Sequence, residues 1–428
     1  MPGVDRRPER RTPESASRPS RAARPVTLAF VLTCLGGTLV VGALHKAPCI
    51  VRDWGDGRQY HLACYTDILP LFGTEQLAGG RLPYLDPCAP TQGSCDEYPV
   101  LTMYTMRLAG WLSGPNPARF FWVNATLLTA CAAATAIGLY LLDRRRSLWF
   151  ALAPSLAVEA FLNWDLVAVA LATVATVTFL RRRDAWAGVL IGLGAAAKLS
   201  PVLLLVAFVA DRLRQRHPDR AIVLAWSAAV AWLVVNLPFA IGGLRGWWEF
   251  FRLNGARVAD WDSLWSIACR ALSLCPSTGL INAMSLALFL SLVAALWAAK
   301  ARRHDFPRWQ LAFPVVVVFL LVGKVYSPQF SLWLLPWFAL VMPSLRRFVA
   351  FEVADLGVFV TRFEFFGDYT GIGGLPRWVF EVAVVVRAVV LVWCLVAWVR
   401  EPPRTLPAVE AEPDAAVGVA SGAVERRP

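Results

Sequence analysis

The feature that most limits what this chain can become is the recurrence of long apolar runs without a charged side chain, such as Val26 to Leu44 and Ala221 to Val235. These approach the ~20 residues needed to cross a ~30 Å hydrocarbon core. With no water there, each spanning segment satisfies its backbone internally, so repeated runs predict an all-α polytopic membrane protein. Composition agrees: 57% of the residues are hydrophobic and 17% charged, and mean hydropathy is +0.52. Soluble chains are about a quarter charged.

The net charge of +12 would suggest nucleic acid in a soluble protein. Here the basic residues form short clusters between apolar stretches and so set topology instead. Many of the 19 Trp lie near expected helix ends, as in an interfacial aromatic belt. The Arg/Pro/Ser-rich segment 1–25 and the Pro/Ala/acid-rich tail 401–428 lack the apolar residues to fold. Both are expected to be disordered and cytoplasmic, flanking one membrane domain at 26–400. No clear A-x-A site follows Val26 to Leu44, so that run is read as a retained helix.

With Arg6 to Arg24, Arg144 to Arg146, Arg181 to Arg183, Arg212 to Arg220, Lys300 to Arg303 and Arg346 to Arg347 cytoplasmic, about twelve segments follow, some short or re-entrant, with both termini inside. A large first extracytoplasmic loop occupies 46–119 and a second 242–277. Segments are expected at Val26 to His45, Phe120 to Leu142, Ser147 to Leu162, Asp165 to Leu180 and Ala185 to Ala210. The last is split at Lys198-Leu199-Ser200-Pro201, where proline interrupts the backbone ladder. Ala221 to Ile241, Leu280 to Ala299, Trp309 to Gly323, Phe330 to Val341, Phe348 to Phe363 and Trp378 to Val399 follow. Glu352, Asp355 and Arg387 fall inside the final pair, where an internal pair of Asp355 with Arg387 is the natural arrangement.

On this topology Cys49, Cys64, Cys88 and Cys95 fall in the first outer loop and Cys269 and Cys275 in the second, where an oxidising compartment permits disulfides. The local pairs are Cys88 with Cys95 and Cys269 with Cys275, leaving Cys49 with Cys64, although sequence does not fix connectivity. No Cys/His spacing resembles a zinc site.

Glu159, Asn163, Asp165, Lys198, Asn236, Lys324, Tyr326 and Gln329 all map to the outer ends of their segments. Ionisable groups in a membrane usually line a site, and this clustering under two outer loops points to a membrane-surface active site. A transporter would place such groups near the midplane of repeated halves. Singly, each has a plain alternative: Asn163 and Asp165 could cap a helix, and Lys324 could snorkel to the interface. The first loop adds Asp67 in Tyr65-Thr66-Asp67, an interfacial amphipathic stretch at Leu71 to Ala78, and the acidic pair Asp96-Glu97. A carboxylate in a dry pocket can serve as general base, while Lys198, Arg252, Arg257 and Lys324 could hold an anionic leaving group. For any one arginine of the loop Gly242 to Ser277, contact with lipid headgroups is the stronger reading. Gly192-Leu193-Gly194-Ala195-Ala196-Ala197 mimics a dinucleotide motif but has no preceding strand. The G-x-x-x-G spacing of Gly188 and Gly192 suits close helix packing instead. Asp53-Trp54-Gly55-Asp56-Gly57 lacks the spacing and final Glu of a calcium loop.

Thr66-Asp67, Gly80-Arg81-Leu82-Pro83-Tyr84, Glu97-Tyr98-Pro99, the Lys198 segment and Lys324-Val325-Tyr326-Ser327-Pro328-Gln329-Phe330 occur in an order that resembles the GT-C integral-membrane glycosyltransferases. The likeness is to the actinobacterial α-mannosyltransferase type, glycosyltransferase family 87, over about Val26 to Arg400. This chain reads Tyr98-Pro99-Val100 where that family often has Tyr-Pro-Pro, and its outer cysteines are not typical. The resemblance implies a GT-C-like fold and Asp67 as catalytic base. It implies inverting transfer of mannose from a polyprenyl-phosphate donor to a glycolipid or glycan acceptor at the outer face of the plasma membrane. Asp96, Glu97 and Asp165 are the supporting acids, and Lys198, Arg257, Lys324, Tyr326 and Gln329 the candidates for binding substrate or donor phosphate. Membrane lipids are the expected surroundings, nucleic acid is not an expected partner, no cofactor beyond the lipid-linked sugar is obligatory, and the sequence leaves divalent metal open. A transporter or flippase of a lipid-linked glycan is the alternative, and a non-catalytic envelope scaffold stands behind it.

Overall fold

The computed structural model describes residues 26–51, 53–88, 95–342 and 344–407. The N-terminal segment 1–25 and the tail beyond 407, both expected to be disordered, lie outside these residues. The described chain is helical without strands, and five helices are long and apolar enough to cross a membrane: Leu28–Val51, Pro117–Leu142, Pro218–Gly242, Thr278–Ala301 and Arg377–Arg400. Shorter apolar helices, among them Asp165–Leu180 and Asp184–Ala197, pack between them. This is the architecture of a membrane protein.

Local chemistry sets the helix starts. Asn116 accepts from the Arg119 amide at 2.9 Å ahead of Pro117, and Ser277 caps Thr278–Ala301 by accepting from Leu280. A proline at the first helical position loses nothing, since that amide has no partner in the helix anyway. Proline also sets the breaks. The expected segment 147–162 is two pieces, Ser147–Ala151 and Pro154–Glu159, and the expected 330–341 is a 3₁₀ turn, Pro328–Trp333, followed by Leu335–Leu340. Each break precedes a residue that cannot donate to the preceding turn. Asp184–Ala197 ends at an extended Lys198 (φ −150°, ψ 146°), and helix resumes through Ser200–Val202 and Leu203–Arg214.

Gly188 and Gly192 face Pro218–Gly242 so closely that a Cβ would run into the Leu224 and Ala228 carbonyl oxygens. The dinucleotide-like glycines are thus a helix-packing seam. Asp355 and Arg387 pair at 3.1 Å in the interior, where Ser331 also donates to Asp355 at 2.5 Å.

Four stretches differ from expectation. Part of the first loop is the 14-residue helix Val100–Ser113, which packs on Pro117–Leu142 and Asp184–Ala197. The stretch read as interfacial forms Ile68–Thr74 and a turn at Leu77–Gly79, and its apolar side meets protein instead of lipid: Phe72 stacks on Phe120 at 4.3 Å. Leu345–Tyr369 continues past Phe363, where hydropathy ends, because its last turns pack on Arg58–His61 in the first loop. The tail begins ordered: Arg347 pairs with Glu401, Arg404 with Asp143, and Leu406 is buried.

Cys49 pairs with Cys64, Cys88 with Cys95, and Cys269 with Cys275, while Cys34, Cys131 and Cys394 are free. The first pair ties the end of Leu28–Val51 to the segment just before Asp67.

Candidate active site

Asp67 starts the helix Ile68–Thr74 with helical backbone angles (φ −68°, ψ −23°), and the segment leading to it is held at several points. The Asp67 amide donates to the Leu162 carbonyl at 2.8 Å, and the Thr66 hydroxyl donates to the Phe161 carbonyl at 2.7 Å. Fully buried Lys46 donates to the Tyr65 carbonyl at 2.8 Å, and the Cys49–Cys64 bridge closes the loop behind it. The side chain is fixed as well. Tyr65 donates its hydroxyl to Oδ1 at 2.8 Å, and Asn163 donates Nδ2 to Oδ2 at 2.7 Å. Asn163 lies 2.6 Å from the Tyr98 hydroxyl, while its own Oδ1 accepts from the Trp164 amide. Hydrogen bonds to an ionised carboxylate are among the stronger ones, so both oxygens have set orientations.

This carboxylate faces a cavity of about 1050 Å³ bounded by the first loop, Leu244–Ala256, Thr278–Ala301, the Gly323–Phe330 turn and the end of Leu345–Tyr369. Of the residues singled out by sequence, Asp67, Glu97, Lys198, Arg257, Lys324 and Gln329 line it. Glu97 is exposed towards the opening, and its carboxyl is pushed above the ordinary value by the surrounding walls, against the pull of Arg257 and with a further push from Asp67.

The cations differ in their partners. Lys198 donates to Asp165 at 3.0 Å, and its ammonium lies 5.4 Å from the Tyr98 ring centre and 4.9 Å from that of Phe330. Asp165 is completed by the Trp333 indole N–H at 2.8 Å, so it neutralises Lys198 and does not face the cavity. Arg257 pairs with Asp260 at 2.7 Å, and Arg362 pairs with buried Asp262. Lys324 donates only to the Gly255 carbonyl, at 3.1 Å, and among the described residues no carboxylate is within ion-pair distance of it. Burial and then the neighbouring charge of Arg257 depress its ammonium pKa, as expected of a cation short of counter-charge.

Besides Asp165, three residues lie elsewhere. Asp96 is buried in a knot with Arg81 (2.8 Å) and the Tyr84 amide (3.0 Å), while Glu75 accepts from the Asp96 and Glu97 amides. It shapes the loop and has no face on the cavity. Tyr326 turns into the interior, where Arg387 lies 3.6 Å from its ring centre. Arg252 is exposed and pairs with Glu249. Conversely, sequence reasoning passed over Lys46, Tyr65 and Arg362. Lys46 carries one signal, a lysine within the last turns of an apolar helix, whereas Tyr65 and Arg362 carry none apart from the contacts of the fold. Among the described residues no group of three or more His, Cys, Asp or Glu side chains is arranged to hold a metal ion.

A model of glycosyltransferase family 87 matches residues 97–328, more than half of the chain. The matched stretch contains Glu97, Lys198, Arg257 and Lys324 and begins after Asp67. No curated protein matches the chain.

Proposed function

Because the chain belongs to glycosyltransferase family 87, we propose that it is an extracytoplasmic inverting hexosyltransferase of the plasma membrane, moving mannose from a polyprenyl-phosphate donor to a glycolipid or glycan acceptor. The acceptor hydroxyl gives its proton to Asp67 while its oxygen attacks the anomeric carbon. The bond from that carbon to the phosphate oxygen breaks, its electron pair leaves on the polyprenyl phosphate, and the anomeric configuration inverts.

The observation that carries this reading is the division of charge in one cavity. A carboxylate oriented through both oxygens shares it with Lys324, a cation without a carboxylate partner among the described residues. The first is what a general base needs, and the second is what a phosphate leaving group needs. Arg257, beside Lys324 at the opening, is paired with Asp260 and lines the entrance. Lys198, already neutralised by Asp165, positions the wall. Aliphatic side chains such as Leu203 at the start of Leu203–Arg214 and Leu286 on the long helix Thr278–Ala301 offer a path for the prenyl chain.

The test is transfer of radiolabelled sugar from polyprenyl-phosphate-mannose in membranes containing the chain or its Asp67→Asn variant, with extracted glycolipids as acceptors. Transfer by the parent alone is the expected result. Equal transfer by both removes Asp67 from the reaction. Transfer by neither, across a panel of lipid-linked sugars, sinks the proposed chemistry.

A further inference from the structure

The walls on the two sides of Asp67 differ in kind. Towards Lys198 and Lys324 they mix aliphatic, cationic and aromatic side chains, and the rings nearest Lys198 already have partners: Phe330 stacks on Trp333 at 4.3 Å and lies 4.9 Å from the Lys198 ammonium. In the other direction Tyr65, whose hydroxyl holds Asp67 at 2.8 Å, has its ring 5.8 Å from Phe363, and Tyr60 meets Phe366 edge-on at 6.2 Å. Phe366 and Tyr369 stand one turn apart on Leu345–Tyr369 and line the same cavity. The Arg362 guanidinium lies 4.8 Å from the Phe366 ring centre and is locked to Asp262.

Resting on the transferase reading above, we infer that this aromatic wall is the acceptor subsite and that it takes a hexopyranosyl ring. Aromatic faces carry negative quadrupole charge and so attract the weakly positive C–H face of a pyranose, while burying its apolar area. Arg362 supplies the complementary edge. A guanidinium has five N–H donors, and its bond to Asp262 leaves several for ring hydroxyls. Its pairing also cancels the net charge that would draw a phosphate. Polar and aromatic groups alternating in this way suit a sugar, whereas a prenyl chain would leave the Arg362–Asp262 pair desolvated and unrewarded. The adjacency of Tyr65 to both the wall and Asp67 then brings a hydroxyl of the stacked ring to the base.

The test uses the full chain in lipid nanodiscs with Phe366→Ala, Tyr369→Ala, both together, and Phe366→Trp as the variant that keeps an aromatic face. Initial rates give acceptor and donor KM separately, and saturation-transfer NMR with methyl hexopyranosides reads sugar binding without turnover. Each alanine should raise acceptor KM about three- to tenfold, the worth of one aromatic contact. Donor KM should stay fixed, Phe366→Trp should recover most of the loss, and the saturation signal should fall in the double variant. An unchanged acceptor KM, a matching rise in donor KM, or a saturation signal indifferent to both rings would overturn the assignment. If the parent shows no turnover, the failure belongs to the proposed reaction. The saturation signal then judges the wall alone: loss in the double variant supports a sugar site, and no signal with the parent refutes it.

Discussion

Replacing Asp67 by Asn should remove the base and leave its surroundings intact. The carboxylate accepts one hydrogen bond on each oxygen, from Tyr65 and from Asn163. An asparagine can keep its carbonyl towards the Asn163 amide and turn its NH2 towards Tyr65, whose hydroxyl can rotate to accept. No buried donor is left opposite another donor, so folding should be nearly unaffected. General-base catalysis contributes about 10²- to 10⁴-fold, which at about 1.4 kcal/mol per decade is roughly 3 to 5 kcal/mol of barrier. The assay is the single-turnover rate from polyprenyl-phosphate-mannose, with thermal unfolding of both proteins as the folding control. Glu97→Gln is the companion variant, because Glu97 shares the cavity with a raised pKa. It should lose less than about tenfold, since among the described residues no hydrogen-bond network orients it at the reacting centre. A fully active Asp67→Asn protein, or a Glu97→Gln protein that falls as far, would refute the reasoning.

Further outcomes follow from other parts of the chain. Lys324→Met should raise donor KM by about ten- to a hundredfold, the worth of one charge-assisted bond. In the parent, donor KM should climb as pH rises through the depressed Lys324 pKa, starting below the ordinary value of 10.5, and a flat profile in steady-state assays from pH 7 to 10 would contradict this. Opening the Cys49–Cys64 bridge with a double Ser variant releases a loop of 15-residue separation. This should cost about 3 kcal/mol in a chain-entropy account, and kcat should fall with it because Cys64 lies just before Asp67; thermal melts and kcat in detergent read both. Gly192→Leu should lower the thermal midpoint or block folding by colliding with Ala228, whereas Gly36→Leu, with open space around it, should not.

The spans were legible in the sequence because hydrocarbon leaves a long apolar run little choice of structure. Leu28–Val51 and Pro117–Leu142 lie close to where the residue pattern puts them, and the Lys198-to-Pro201 break follows from proline alone. Hydropathy misses elements whose partners are other parts of the protein. Val100–Ser113 and the last turns of Leu345–Tyr369 are less apolar and fold by packing, and the second of these carries the aromatic wall. Within the site, Asp67, Lys198 and Lys324 stood out as charges beside apolar segments. Their partners did not, because the Tyr65 hydroxyl and Asn163 amide are ordinary polar groups until the fold sets them 2.8 and 2.7 Å from one carboxylate. Asp96 misled for the converse reason, since an acid in a loop can face a substrate or an arginine, and here it faces Arg81.

The pairing of the cations bears on how the proposed reaction could be accelerated. Three basic groups lining the cavity are matched by carboxylates, Lys198 by Asp165, Arg257 by Asp260 and Arg362 by Asp262. Among the described residues, the lining charges without an ion-pair partner are the acids Asp67 and Glu97 and the ammonium of Lys324. In the proposed transfer the phosphodiester donor, with one negative charge, becomes a phosphomonoester that carries close to two at neutral pH, while Asp67 gains a proton. Negative charge therefore leaves the base and accumulates at the phosphate. A cation short of counter-charge interacts more strongly with that arrangement than with the bound substrates, which is the condition for an interaction to raise kcat and not merely tighten binding. A pre-neutralised ion pair in its place would respond much less. The protein thus neutralises the cations that support its walls and leaves Lys324, whose site on the turn after Ala312–Val322 depends on the Asp260 amide bonding to its carbonyl at 2.8 Å, free for the charge that develops.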